Sequence, residues 1–313
     1  MTQPRANMQY LWWSGERVLW DDAKVHVTGI GWPALTAVFE GVRAYKARDG
    51  KATFLFRYDA HLARLWRSMR FMHIASRWSI EELTEATREL IRANGVIDDL
   101  YVMPLAYGMS GNRGVTAMDT QPADIYITTR VVGSKFPDPK PEAVMVSSWT
   151  RINDNIMPPR IKAVVNYLNS RFAQSEARRG GYDSGVFLNT QGKITEGGGE
   201  CFFMVRDGVV ATPPTTAGIL ESITRDSIIH LLREEVGVKV VEREIDRTET
   251  YFAEEMFFAG TMHEIGPIRS IDGFEVPGGG TGPITRKLID VFERVVRGEE
   301  PKYADWLTKV TLD

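Results

Sequence analysis

Hydrophobic positions along the chain change period several times, and each change predicts an element. "LWWSGERVLW" reads as two short strands folded back at Ser14-Gly15. "VFEGVRAY" and "ATFLF" are strand-like runs rich in β-branched and aromatic residues. "DAHLARLWRSMRFM" switches to the helical period and gathers Leu62, Leu65, Trp66 and Met69 on one face. "SIEELTEATRELIRANG" opens at Ser79 with Glu82 three residues on, the pattern of a capping box, and Gly95 is a natural stop. "LYVMPLAYG" and "ADIYITTRVV" return to strands.

The pattern then breaks at "GSKFPDPKPEA", a stiff, polar, proline-rich stretch. It predicts a linker at 133–143, with a smaller N-terminal α/β domain over 1–132 and a larger domain over 144–313. In the second part "AVMVSSW", "GVFLNT", "ECFFMVRDGVVATPP" and "EEMFFAG" read as strands, the third folding back at Asp207-Gly208. "VVNYLNSRFAQSEARRGG" reads as a helix whose apolar face is Val164, Leu168 and Phe172, ending at Gly180-Gly181. "SITRDSIIHLLREEVG" and "PITRKLIDVFERVVRG" are amphipathic helices, with Pro283 suited to the first turn of the latter. "PGGGTG" reads as a flexible loop, because it lacks the lysine and serine of a phosphate loop.

Composition narrows the partners. Of 313 residues, 43% are hydrophobic and 25% charged, and the net charge is -3. That is a globular balance with no strong field of either sign, so nucleic acid or a membrane surface is not the expected partner. No apolar run reaches about 18 residues, and the start lacks the charged head and apolar core of a signal peptide. Cys201 is the single cysteine, and the five histidines are scattered, so neither an internal disulfide nor a metal site is expected. A reducing cytoplasm fits this usage.

Five pieces of the pattern carry candidate chemistry, and each has an ordinary reading beside it. Lys162 stands between Ile161 and Ala163, where a proline-closed loop gives way to a helix; most lysines at such points are simply solvated. Thr195-Glu196 precede three glycines and an apolar strand. Glycines there let backbone approach closely, and the carboxylate could face a cation or a protonated ring nitrogen, or only solvent. Ser222 or Thr224 opens a helix whose first N–H groups could bind an anion. Arg64 lies about 200° round its helix from Leu62, which predicts solvent exposure, although a guanidinium also matches phosphate. Gly260-Thr261 end a strand at a turn with exposed N–H groups and a hydroxyl.

Order and spacing bind these pieces together. "WSGERVLWDDAKVHV", "VFEGVRAY", "HLARL", "KAVVNYLNS", "SEARRGGY", "TEGGGE", "TPP", "ITRDSII", "GTMHEIGPI" and "GPITRKL" follow one another collinearly. Together they resemble the class IV (fold type IV) pyridoxal-phosphate aminotransferases, and the branched-chain amino acid aminotransferases in particular. The resemblance implies a two-domain, D-amino acid aminotransferase-like α/β fold with mixed α+β sheets, pyridoxal 5'-phosphate as cofactor, an amino donor and a keto acceptor as substrates, and a homodimer or higher homo-oligomer. It makes Lys162 the lysine that forms the internal Schiff base and then shuttles the proton. Glu196 matches the carboxylate at the pyridine nitrogen, and Tyr167 the tyrosine beside the phenolic oxygen. Arg64, the Ile223 and Thr224 amides and Thr261 match the phosphate contacts. Leu220 is expected to pack on the ring, and Gly199 to allow close approach. Phe39, Tyr101 and Gly260 belong to the expected substrate pocket. Two other readings use the same cofactor: a lyase of the aminodeoxychorismate lyase type, and a protein that holds the cofactor without turnover.

Departures from the branched-chain pattern cluster in that pocket. Ala34 and Leu35 replace a tyrosine-glycine pair, and Met103 in "YVMPL" replaces an arginine. Met262 and His263 replace small residues after the glycine-threonine turn, Cys201 an asparagine, and Glu221-Ser222 a proline-glycine pair. In the family the arginine and tyrosine help hold the distal carboxylate of glutamate. A buried carboxylate deprived of its arginine loses several kcal/mol. The expectation is retained chemistry with substrate choice moved towards a hydrophobic amino acid or an apolar amine.

Overall fold

A computed structural model describes residues 8–108 and 121–312. The first seven residues, part of the stretch read above for a signal peptide, lie outside the described residues. The chain forms two units.

The first unit runs up to Ser134. β1 (Tyr10–Trp13) and β2 (Glu16–Leu19) make the expected hairpin. Its turn residues Ser14 and Gly15 both have positive φ, 48° and 104°, as a tight hairpin requires. The run "VFEGVRAY" is two strands, β3 (Val38–Phe39) and β4 (Val42–Lys46), broken at Glu40-Gly41. Glycine suits the break, since a Cβ on Gly41 would run into the Tyr101 hydroxyl. β5 (Thr53–Phe56), α1 (Tyr58–Phe71), β6 (Ile74–Ala75), α2 (Ile80–Asn94), β7 (Leu100–Gly108) and β8 (Gln121–Val131) follow. β5, β4, β7, β8, β1 and β2 are neighbours in one sheet, antiparallel throughout that row. Leu62, Leu65 and Met69 of α1 pack with Leu83, Leu90 and Ile91 of α2 and with Val42, Val102 and Ile125 of the sheet; Trp66 closes the edge of this core. The capping box of α2 is complete: Glu82 N donates to Ser79 Oγ at 3.1 Å and Ser79 N donates to the Glu82 carboxylate at 2.7 Å. Such a cap stabilises by about 1 kcal/mol, and Gly95 ends the helix at φ 64°.

The second unit begins at Lys135. Its elements are β9 (Glu142–Thr150), α3 (Tyr167–Arg179), β10 (Ser184–Leu188), β11 (Ile194–Gly197), β12 (Cys201–Arg206), β13 (Val209–Thr212), α4 (Ile223–Leu231), β14 (Val240–Glu242), β15 (Glu255–Gly260), β16 (Glu264–Ile271), β17 (Phe274–Glu275) and α5 (Pro283–Val296). The strands run in the order β11, β10, β9, β16, β15, β12, and β11 also pairs with β12, so six strands close on themselves. Closure explains why β12 and β15 read as unbroken apolar runs: both faces are buried. Phe202 and Phe258 turn to one face with Val144, Val186 and Ile268. Phe203 and Phe257, one position along in the same register, stack on the other at 4.9 Å. Glu255, buried at the start of β15, accepts from the Ile284 and Thr285 amides at 3.0 and 2.7 Å and so caps α5 from a strand.

Three expectations change. α-Helix starts only at Tyr167, after a 3-10 turn over Val164–Asn166, and the face Val164, Leu168, Phe172 is 37%, 56% and 40% exposed. The buried face is Ser170, Ala173 and Ala177. α3 packs directly on β10: a Cβ at Gly185 would be in van der Waals contact with Ala173 O at 3.5 Å and Ala177 Cβ at 3.6 Å, and the helix face there carries small residues. The glycine-rich 277–282 is anchored over part of its length: Pro277–Gly279 are exposed, with positive φ at Gly278 and Gly279, whereas Gly280 is buried and a Cβ on it would meet Ile268 O at 2.6 Å. The division of the chain is also not two consecutive blocks. Ile161–Val165 and the chain from Val295 onward belong to the first unit. Ala163 bridges Val38, and β18 (Leu307–Val310) pairs antiparallel with β5 at the sheet edge. Both pairings are non-local and leave no mark in the local pattern. Among the described residues no helix is long and apolar enough to cross a membrane.

Candidate active site

Lys162 is held by backbone on both sides. Phe39 N donates to Lys162 O at 3.1 Å, Val164 N donates to Ala37 O at 2.9 Å, and Lys162 N donates to Ser68 Oγ of α1 at 3.3 Å. Ile161 and Val165 pack against the core of the first unit. The side chain is half-buried, with Nζ 4.9 Å from the centroid of the Phe39 ring. A lysine so fixed at its backbone differs from the solvated loop lysine that the local sequence suggests.

Arg64 departs furthest from its sequence expectation. It is only 4% exposed. Its Nε and Nη2 donate to the two oxygens of Glu40 at 2.7 and 2.8 Å, and His61 Nδ1 lies 2.7 Å from Glu40 Oε2. The break between β3 and β4 places Glu40, itself fully buried, against α1. Burial alone would raise the Glu40 carboxyl; the Arg64 charge and the Arg64 and His61 bonds outweigh it and hold it well below the usual carboxylate range. Burial pulls His61 the other way, below its ordinary value, and the Arg64 and Lys162 charges add to this against the Glu40 bond. Neutral His61 then donates its Nδ1–H to an acceptor-only carboxylate.

β7 turns Tyr101, Met103, Leu105 and Tyr107 to one half-buried face. Register places Arg43 and Arg130 on either side of Tyr101, Thr128 beside Met103 and Phe39 beside Leu105. Both arginines lie over aromatic rings, Arg130 over Tyr101 at 4.8 Å and Arg43 over Tyr45 at 5.3 Å. Ala34 stands exposed in the 3-10 turn Trp32–Leu35.

In the second unit Glu196 is 5% exposed, at the end of β11. Arg151 Nη2 lies 2.6 Å from its Oε1, and the Leu220 amide donates to both its oxygens at 3.2 and 3.3 Å. Half-buried Leu220 leads into α4, whose N-cap is Ser222: its Oγ accepts from Arg225 N at 3.2 Å. The amides of Ile223 and Thr224 precede any intrahelical acceptor, and both residues are buried. Gly199 and Gly260 differ in their protein surroundings. A Cβ at Gly199 would meet open space, whereas one at Gly260 would stand 3.1 Å from Gly199 O. Thr261, Met262 and His263 form the tight turn from β15 to β16, with Met262 40% exposed. His263 Nε2 comes within 3.1 Å of Glu142, and its ring packs edge-on against Phe258. Tyr167, the first residue of α3, is half-buried.

Residues 37–271 match the family model described as amino-transferase class IV. The chain belongs to the class IV aminotransferases. It is 40% identical to the branched-chain-amino-acid aminotransferase of Salmonella typhimurium over 99% of each chain. It superposes with a TM-score of 0.94 on the holo, PLP-form structure of the Thermobaculum terrenum branched-chain amino acid aminotransferase, at 45% identity and covering 97% of this chain and 99% of that one. The structure of the Thermoproteus uzoniensis branched-chain aminotransferase with norvaline matches at TM-score 0.90 and 38% identity, over 96% of this chain and 99% of that one. The chain is therefore a pyridoxal-phosphate-dependent transaminase with the fold type IV architecture.

The donor set of this aminotransferase fits its cofactor. In the first unit a buried guanidinium, and in the second the opening amides of α4, are each donors of the kind that suits a dianionic phosphate. A buried carboxylate already held by a cation suits a protonated ring nitrogen, and a backbone-fixed amine suits a covalent link to an aldehyde. Two charged residues that no sequence reading assigned a role complete the sets: Glu40 behind Arg64, and Arg151 behind Glu196. Glu40 carried a faint signal, a carboxylate and a glycine interrupting a strand pattern. Arg151 carried none, since one arginine after "SSWT" is an ordinary strand end.

Proposed function

We propose that this transaminase takes a hydrophobic, branched-chain-type amino donor and a 2-oxo acid acceptor, with the site residues in the following roles. Lys162 Nζ would hold the cofactor covalently in the resting enzyme, and as a free amine would carry the proton taken from the substrate Cα. Arg64, the Ile223 and Thr224 amides and Thr261 bind the phosphate. Glu196 holds the ring nitrogen protonated, and the Leu220 amide orients that carboxylate. Tyr167 donates to the phenolic oxygen. The cofactor, when bound, supplies the electron sink for the developing carbanion.

Substrate choice rests on one observation: Met103 stands beside Tyr101 on the half-buried face of β7, where the family resemblance expects an arginine. Ala34 and Phe39 of the first unit, and Gly260, Met262 and His263 of the second, are the other residues proposed to act in substrate choice. The two arginines on that sheet face are directed onto rings. Methionine offers no partner for a second carboxylate, and a desolvated carboxylate without one loses about 2 kcal/mol or more. L-Leucine is therefore expected to convert the bound cofactor to its pyridoxamine form at least about thirtyfold more efficiently than L-glutamate. Stopped-flow absorbance of each half-reaction measures this, and comparable efficiency with L-glutamate would refute it.

The enzyme is proposed to work as a homodimer. Trp149 and Phe172 stack at 4.6 Å on the surface of the second unit and are 45% and 40% exposed, with Leu168 beside them at 56%. An apolar group of this kind favours contact with another chain. Sedimentation velocity is expected to give a dimer mass, and a monomer at micromolar concentration would contradict it. A reducing cytoplasm agrees with a single cysteine, Cys201, buried in β12.

A further inference from the structure

We propose that Glu40 is a positioning residue, fixing the Arg64 guanidinium in the orientation that receives the cofactor phosphate. The inference rests on the phosphate role of Arg64 proposed above.

A guanidinium has more than one edge that can grip an anion. Glu40 takes the edge formed by Nε and Nη2, with two bonds of 2.7 and 2.8 Å. That pairing directs the remaining N–H groups and fixes the plane of the ring of donors. The carboxylate is itself immobilised. It is fully buried, its Oε2 also meets His61 Nδ1 at 2.7 Å, and its backbone N donates to Pro104 O of β7 at 2.9 Å. One residue earlier, Phe39 holds the Lys162 carbonyl. The dipeptide Phe39-Glu40 therefore sets both the lysine's backbone and the arginine's side chain.

A buried ion pair is a poor device for stability alone, because desolvating both charges roughly cancels their attraction. Three buried ionisable groups gathered in one cluster are better explained by geometry that the site needs. Charge and position make opposite predictions here. If Glu40 acted only through its charge, it would repel a phosphate, and a neutral glutamine would tighten phosphate binding. If it acts by position, glutamine weakens binding, because its amide nitrogen confronts a guanidinium N–H with a second donor and the guanidinium loses its fixed plane.

The test compares pyridoxal 5'-phosphate with pyridoxal, which lacks the phosphate. Both are titrated into the full chain freed of cofactor, and binding is followed by absorbance. Glu40→Gln is expected to lose about tenfold or more of the preference for the phosphorylated form, with pyridoxal affinity changed less than about threefold. Glu40→Asp, which keeps the charge, should recover part of the preference. His61→Ala removes a neutral partner of the carboxylate and should show a smaller loss of the same ratio, which keeps the test open if Glu40→Gln does not fold. An unchanged or increased preference in the folded variants overturns the proposal, as does an equal loss for both ligands, which marks a merely structural role. Arg64→Lys separates the two readings. If it leaves the preference intact, the phosphate role of Arg64 fails; if it lowers the preference while Glu40→Gln does not, only the role of Glu40 fails.

Discussion

Lys162→Ala is expected to bind pyridoxal 5'-phosphate without a covalent link and to lose transamination by about a thousandfold or more. The substitution is local in its effects. Lys162 is anchored through its own N and O, to Ser68 Oγ and from Phe39 N, and alanine keeps both groups. What disappears is the amine proposed to form the link and carry the proton. The thermal midpoint of the cofactor-free protein should therefore change little while kcat collapses. Part of the turnover should return with a small primary amine added to the assay, because a free amine can enter the space left by the side chain and carry the proton. Borohydride reduction of the wild-type holoenzyme, followed by peptide mapping, should find the cofactor on the peptide holding Lys162 and nowhere in the variant. A label on any other peptide in the wild type would refute the assignment.

What the sequence revealed depended on how local the physics is. The α2 boundaries were legible because Ser79, Glu82 and Gly95 act on their own helix ends. The turn at Ser14-Gly15 was legible because the backbone there demands residues that tolerate positive φ. The α3 face departs from the apolar periodicity because the residues against β10 are Ser170, Ala173 and Ala177, which a count of large apolar positions does not register. Arg64 was expected in solvent because its partner is 24 positions earlier, in a strand break visible only once the sheet is built. Ile161–Val165 and β18 join the first unit through non-local pairings, with Val38 and with β5. Lys162, Glu196 and Thr261 were each ordinary in isolation; only their collinear order with the other motifs singled them out. The carboxylate's cation, Arg151, was invisible even then, since its effect passes entirely through another side chain.

Arg151→Gln is expected to lower kcat by about a hundredfold while changing KM for the amino donor little. Glu196 is buried, and its charge is balanced in the structure by Arg151 at 2.6 Å and by the Leu220 amide. Without the guanidinium, a carboxylate desolvated to this degree is poorly held as an anion. In the role proposed for it, a neutral Glu196 would no longer keep a proton on the ring nitrogen, and stabilisation would be lost in the transition state and hardly at all in the ground state. Arg151→Lys retains the charge without the planar fork and should recover much of the rate. The sharper measurement is a double-mutant cycle. Glu196→Gln alone should lose at least as much as Arg151→Gln. If Arg151 acts only by holding Glu196, the double variant should be no slower than Glu196→Gln, because the group it supports is already gone. Losses that multiply would show that Arg151 reaches the chemistry by a separate route, and the pairing in the structure would then be structural rather than catalytic in its consequence.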